Sequence, residues 1–213
     1  MSRYSLGSNE SDEFEPGSQQ RVLRNLLGIT TPAEMDQREA WALADAISLS
    51  LLEIEDDTRF GVLKLREMHR QWLGEIYEFA GEIRRVNVSK GGVMFAPVIH
   101  LDQTLSELDR VLSQYTPCKA FERTELVRSL AVVHAELILA HPFREGNGRL
   151  ARWLTDLMAL QAGSAPLQWG FELETEKRRS RYFASLRKAF TKDFDQLESL
   201  ISSALDGERD HSP

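Results

Sequence analysis

The chain of 213 residues contains a single cysteine, Cys118. One thiol excludes an internal disulfide framework and any metal site built from several cysteines. Long apolar runs are also missing. The most apolar stretch, Leu130 to Ala140, carries His134 and Glu136, and it falls far short of the roughly 20 apolar residues of a bilayer span. The opening MSRYSLGSNESDEFEPG has no apolar centre of a signal peptide. The expectation is a soluble cytoplasmic protein, with secretion by a route that needs no signal peptide as the alternative. A basic excess is absent too. Thirty-three acidic against 26 basic residues give a net charge of −7, which argues against broad nucleic-acid binding while allowing a local basic pocket.

What is present suits an ordinary globular chain, long enough to bury about 70 % of its unfolded surface. Residues 1–20 are polar and predict an arm, disordered or packed without regular structure. Residues 21–206 predict one domain, and residues 207–213 a flexible tail. Apolar spacing of three and four predicts helices throughout. One, over 32–56, starts at Thr31-Pro32 and carries Met35, Leu43, Ile47 and Leu51. Another, over 61–80, carries Leu65, Met68, Trp72, Leu73, Ile76 and Phe79 and ends at Gly81. Further helices are predicted over 101–115, 122–140 (Leu126, Leu130, Val133, Leu137), 147–161, and 174–205 with a break near Thr191. Residues 83–95 differ. Ile83, Val86 and Val88 alternate before Lys90-Gly91-Gly92, and Val93 and Phe95 follow, which predicts a β-hairpin. A lone hairpin is marginal in water, so it must lie on the helices or be completed by a partner strand.

The chemistry concentrates in residues 141–152, HPFREGNGRLAR. Pro142 cannot continue the preceding helix and pushes His141 toward extended backbone. A loop with two glycines then opens a new helix, an arrangement in which backbone N–H groups and the helix dipole favour an anion. Arg149 and Arg152, placed by the spacing in the first turn of that helix, oppose its dipole. Their presence points to a polyanion. Glu145 supplies the carboxylate that Mg2+ needs beside phosphate oxygens. His141 is the side chain suited to accept a proton near neutral pH. Together these predict phosphoryl or nucleotidyl transfer.

The same twelve residues resemble the signature of the Fic family, His-Pro-Phe-x-(Asp/Glu)-Gly-Asn-Gly-Arg-x-x-Arg, at every fixed position. PGSQQRVLRNLLGI, EIYEFAGEIRRVNVSKGGVMFAP and LQWG resemble further segments of bacterial members, so the similarity spans residues 16–205. The resemblance implies an all-α, Fic-type helical bundle with a small β-hairpin, the flap, beside the active site. It implies a protein adenylyltransferase that moves AMP from ATP to a Ser, Thr or Tyr hydroxyl of a target protein and releases pyrophosphate. His141 would be the general base, and Glu145 would hold Mg2+. Gly146, Asn147 and Gly148 would line the anion cradle, with the Asn147 side chain on the α-phosphate. Arg149 would meet the β-phosphate, Arg152 the γ-phosphate, and Phe143 would anchor the loop. The flap residues Val88, Ser89, Lys90, Gly91, Gly92, Val93 and Met94 would pair with the target backbone, with Lys90, Gly91 and Gly92 near the nucleotide.

Alternatives of other classes stand beside this. One is phosphate transfer, as in the Doc-like branch, which replaces the loop residues that are Gly148 and Arg149 here. Another is transfer of a different nucleotide or of phosphocholine. The third is a non-catalytic nucleotide-binding or toxin–antitoxin interaction module, against which the intact His141, Glu145, Asn147 and both arginines count. His69, His100 and His134 are expected to be structural, Arg144 to be exposed, and Cys118 to be unreactive. Many family members carry an inhibitory Ser/Thr-x-x-x-Glu-Gly/Asn helix aimed at the second motif arginine. Thr30–Glu34, Ser11–Glu15 and Ser202–Asp206 each approach that pattern, and none completes it. The resemblance therefore implies inhibition by a separate small antitoxin-like protein or by a degenerate C-terminal element meeting Arg152.

Overall fold

Helix α4 (Arg123–Ala140) lies at the centre. The sequence predicts one apolar stripe on it, yet every residue from Ser129 to Ile138 is buried. Ala131 and Ala135 are small enough for neighbours to close on the other faces. The polar side chains are partnered, Ser129 Oγ donating to the Glu125 carbonyl and Lys192 Nζ to Glu136. A helix enclosed all round is a core element. Around it pack α3 (Leu101–Tyr115), α5 (Asn147–Gln161), α6 (Glu176–Ala189) and α7 (Asp195–Leu205). The remaining helices, α1 (Pro32–Glu53) and α2 (Val62–Leu73), pair with each other, and α2 reaches α3 and α5. The computed structural model describes residues 13–90, 93–170 and 176–207. Residues 1–12 of the arm and 208–213 of the tail lie outside that set.

The N-terminal segment is packed. Phe14 and Leu23 form an antiparallel bridge, Ser18 is fully buried, and Glu15 accepts the backbone and side-chain N–H groups of Asn25. Thr31 caps α1 with proline at its first position, and its hydroxyl accepts the Glu34 amide. The buried face of α1 is Met35, Glu39, Ala46 and Ser50. Leu51, expected in the core, is 55 % exposed. Indoles decide this orientation: Trp72 Nε1 donates to the Glu39 carbonyl and Trp153 Nε1 to Ser50 Oγ.

Helix α2 stops at Leu73, well short of residue 80. At Gly81, φ is +77°, and its N–H donates to His69 Nδ1, which folds residues 74–81 back along the helix. Ile76 is still buried, so the apolar spacing continues through turns rather than through helix. The predicted strand over 83–88 is likewise not a strand. Arg84 N–H donates to the Pro142 carbonyl, beyond α4, and the Val88 carbonyl accepts from Phe95; on the returning side Ala96 N–H donates to Leu139 of α4. Regular pairing is confined to β1 (Ser89–Lys90) and β2 (Val93–Met94), antiparallel, with Ser89 opposite Met94 and Lys90 opposite Val93.

His134 ties three helices together. Thr155 Oγ1 donates to the Ala151 carbonyl, so it accepts from His134 Nδ1–H at 3.1 Å. Nε2 is then the acceptor for the Tyr182 hydroxyl at 2.7 Å. Burial, aided by the Arg152 charge, pushes the His134 pKa down to about 3. A base depressed in the folded state contributes stability that is complete above its unfolded pKa near 6.5 and is lost as pH falls toward 3. We expect the stability gap between wild type and His134→Gln to narrow by about 2 kcal/mol between about pH 7.5 and pH 5, measured by urea denaturation. A gap independent of pH would contradict the neutral, buried imidazole.

Candidate active site

The motif loop starts where α4 ends. His141 takes the left-handed conformation, φ 46° and ψ 57°, as the C-cap of α4. The expected extended backbone is not observed. Pro142 forbids only the continuation of the right-handed helix, and the left-handed cap reverses the chain at a cost of about 1–3 kcal/mol. Arg84 offsets that strain. Its buried guanidinium donates to the carbonyls of His141 (2.6 Å), Ala140 (3.3 Å), Val86 (2.7 Å) and Ala96. Burial lowers its pKa to about 10, so it stays charged at neutral pH. One side chain thus fastens the foot of the hairpin to the end of α4.

The His141 ring is 5 % exposed and stacks on Phe95, centroids 3.5 Å apart and planes 7° from parallel. Nδ1 lies 3.2 Å from the Ile138 carbonyl. A carbonyl only accepts, so Nδ1 carries the proton, and the neutral ring has its lone pair on Nε2.

Phe143 is fully buried and stacks on His69 at 4.0 Å. His69 Nδ1 accepts from Gly81, so Nε2–H donates to the Glu145 carbonyl at 3.1 Å. Burial lowers the His69 pKa to about 4, which keeps this tautomer neutral. Asn147 closes the loop from the other side. Its Oδ1 accepts the Phe143 N–H (2.9 Å), and its Nδ2 donates to the Phe143 carbonyl (2.8 Å). The side chain expected on the α-phosphate is therefore also the brace of the loop, with its second Nδ2 hydrogen as the remaining donor. Arg144 is buried rather than exposed, with Nη2 2.5 Å from Glu13 Oε2.

The two glycines differ. Gly146, the N-cap of α5, has φ +80°, and a Cβ there would lie 2.8 Å from Trp72 Cζ3. It is glycine for packing and backbone reasons. A Cβ on Gly148 would meet only Arg152 Nη1, at 3.8 Å. Packing does not require glycine at that helical position, where it costs about 0.5–1 kcal/mol relative to alanine. Arg149 is the third residue of α5, and Arg152 lies a turn further on rather than in the first turn. The Arg149 guanidinium sits over the Trp72 ring, 4.8 Å from its centroid. Its Nη2 lies 2.7 Å from Glu39 Oε2 and 3.2 Å from Glu145 Oε1. Glu145 Oε1 also accepts the Gly146 N–H at 2.8 Å. Glu39, 1 % exposed, accepts the Tyr77 hydroxyl at 2.6 Å on its other oxygen. Burial raises the Glu39 pKa against the pull of Arg149.

Among the described residues, no three His, Cys, Asp or Glu side chains gather as a metal site. A cation here would rest on Glu145 and on oxygens brought by a ligand, a donor set that suits Mg2+. Of the flap residues, Val88 is buried and Met94 is exposed; Gly91 and Gly92 lie outside the described residues. Each near-match to the inhibitory pattern has other work: Glu34 belongs to the α1 cap, Glu15 holds Asn25, and Asp206 pairs with Arg123 at 2.7 Å, at the far end of α4 from His141. Ser11 lies outside the described residues. Cys118 is buried with its pKa pushed up to about 12, an unreactive thiol. Glu39, Tyr77, His69 and Arg84 were not marked as site residues by the sequence. A polar residue inside an apolar stripe, as at 39 and 69, is the one signal that could have found two of them.

Residues 60–159 match the family model described as Fic/DOC family. The chain is 30% identical over 178 residues to the probable protein adenylyltransferase Fic of Salmonella typhimurium, covering 83% of this chain and 86% of that protein. It is 29% identical over 163 residues to protein adenylyltransferase VbhT of Bartonella schoenbuchensis, covering 76% of this chain but only 33% of that longer protein. The crystal structure of BepC from Bartonella tribocorum with bound AMPPNP superimposes with a TM-score of 0.72 at 21% identity, over 93% of this chain and 98% of that one. BepA, a type IV secretion system effector, superimposes with a TM-score of 0.66 at 25% identity, over 86% of this chain and 65% of that one. The all-helical architecture is therefore that of Fic domains, and the protein belongs to the Fic/DOC family.

Proposed function

We propose that the protein is an adenylyltransferase that moves AMP from ATP to a Ser, Thr or Tyr hydroxyl of a target protein. The observation that carries this is the orientation of His141. Its Nδ1–H is committed to the Ile138 carbonyl, so its basic Nε2 stands at one end of a loop whose other end is the positively polarised start of α5. Relatives named protein adenylyltransferase, and the AMPPNP bound to BepC, support the choice of donor.

In this reading the triphosphate lies along the start of α5, over Gly148, with Arg149 toward the β-phosphate and Arg152 toward the γ-phosphate. Mg2+ held by Glu145 would neutralise phosphate charge. The target hydroxyl gives its proton to His141 Nε2 as its oxygen attacks the α-phosphorus. The bond from that phosphorus to the bridging oxygen breaks, and pyrophosphate leaves. The hairpin would hold the target by strand pairing. The setting proposed is the cytoplasm; among the described residues no helix is long and apolar enough to cross a membrane. Inhibition by a separate small antitoxin-like protein belongs to the same proposal, since Asp206 is engaged by Arg123.

The test incubates the protein with lysate and ATP labelled at the α- or the γ-phosphorus. Protein should be labelled from the α position only, and His141→Ala should lose that labelling while still binding ATP. Label retained only from the γ position would overturn adenylylation in favour of phosphate transfer. The glycines give a second prediction. Gly148→Ala should keep or slightly raise the melting temperature, by about 0.5–1 kcal/mol of helix propensity, while weakening ATP binding measured by calorimetry. Gly146→Ala should lower the melting temperature as well, through the Trp72 clash. Undiminished ATP affinity in Gly148→Ala would place the phosphates elsewhere.

A further inference from the structure

We propose that Glu39, on α1, is a positioning residue for nucleotide binding that acts through the guanidinium of Arg149. The proposal rests on the functional reading above and adds to it a residue outside both the motif and the residues matched by the family model.

Arg149 stands in the first turn of α5, where a cation opposes the helix dipole. It needs a counter-charge to stay there. Among the described residues two carboxylates reach its Nη2, and they are not equivalent. Glu145 is the further one, at 3.2 Å, and belongs to the motif loop that must also meet a ligand. Glu39 is the nearer, at 2.7 Å, and it comes from the middle of a helix.

Glu39 is closely held, although its Oε2 meets Arg149 as an ion pair without a hydrogen bond. Its residue is 1 % exposed, its second oxygen accepts the Tyr77 hydroxyl at 2.6 Å, and its carbonyl accepts Trp72 Nε1 at 2.9 Å. The same indole lies beneath the Arg149 guanidinium, 4.8 Å from its carbon. The guanidinium is thus drawn toward α1 by an ion pair and rests on a ring. Its donors lie in a rigid planar fork with more than one edge, so a carboxylate on one edge orients another toward a phosphate. Glu39 therefore aims Arg149 from the α1 side, sharing its Nη2 with the longer contact to Glu145.

The test is a double-mutant cycle on the full chain, with ATP, ADP and AMP each titrated by calorimetry. Glu39→Gln preserves shape and removes the charge. It should weaken ATP and ADP by about ten- to a hundredfold, the scale seen when an outer partner of a ligand-binding group is lost. AMP, which has no β-phosphate, should bind unchanged. In an Arg149→Met background the same substitution should change nothing further, because a residue acting only through Arg149 has no other route. Tyr77→Phe, which keeps the ion pair and frees one carboxylate oxygen, should weaken ATP in the same direction by less, and it decides the matter if Glu39→Gln fails to fold. Equal loss for AMP, equal loss without Arg149, or no loss at all would overturn the proposal while leaving adenylyl transfer intact. A wild type that binds neither ATP nor ADP would overturn the functional reading and this inference together.

Discussion

The buried guanidinium of Arg84 on the carbonyls at the end of α4 is the interaction on which the site depends. The last carbonyls of a helix have no partner within it, and here they are enclosed by protein. A cation at that end satisfies them and complements the dipole. Because the same guanidinium also holds the carbonyls of Val86 and Ala96, the hairpin's two feet and the left-handed residue His141 are joined at one point. His69 does the equivalent for the other half of the loop, through the Glu145 carbonyl and the Phe143 ring. The motif loop is therefore shaped by two side chains from α2 and the segment after it.

Charge around the loop is balanced in the same indirect way. The start of α5 is positively polarised and carries Arg149 in its first turn, with Arg152 a turn on. The compensating acids, Glu39 and Glu145, lie on one side of Arg149. Removing two carboxylates from water is costly unless each is paired and hydrogen-bonded. Glu39 meets that condition through Arg149 and Tyr77, and Glu145 through Arg149 and the Gly146 amide. The pocket is consequently built around charges that are already oriented, which is what electrostatic preorganisation requires.

Much of this was legible in the sequence, for reasons that also mark its limits. The bounds of α3, α4 and α5 follow from apolar period together with proline and glycine, all local signals. Helix α2 was overextended because Ile76 and Phe79 keep a helical spacing although the chain has turned at Gly74. Residues 83–88 alternate as a strand does, but the Arg84 amide pairs with Pro142, distant in sequence, and the Val88 carbonyl meets the returning segment at Phe95. The motif was legible because its chemistry is contiguous. Glu39 was not, because an acid within Met35, Ala46 and Ser50 violates the apolar period, and Leu43 and Leu51 suggest a neighbouring face. The Trp72 and Trp153 indoles, with Tyr77 and Arg149 on Glu39, all far along the chain, set the rotation of α1.

The hairpin is short for a reason that bears on its proposed use. Two residue pairs cannot hold a ribbon in water, so its placement comes from its foot. Val88 is buried, Phe95 lies flat on the His141 ring, and Arg84 fixes both feet. The ring that faces the His141 imidazole thus belongs to the residue immediately after β2. A chain pairing with β2 would be registered against it, and β2 is followed directly by the ring stacked on His141. The distance between a bound hydroxyl and Nε2 would then be set by strand register, in which a slip of one residue turns every side chain to the opposite face. A hairpin with little stability of its own is thereby placed by three contacts at its base.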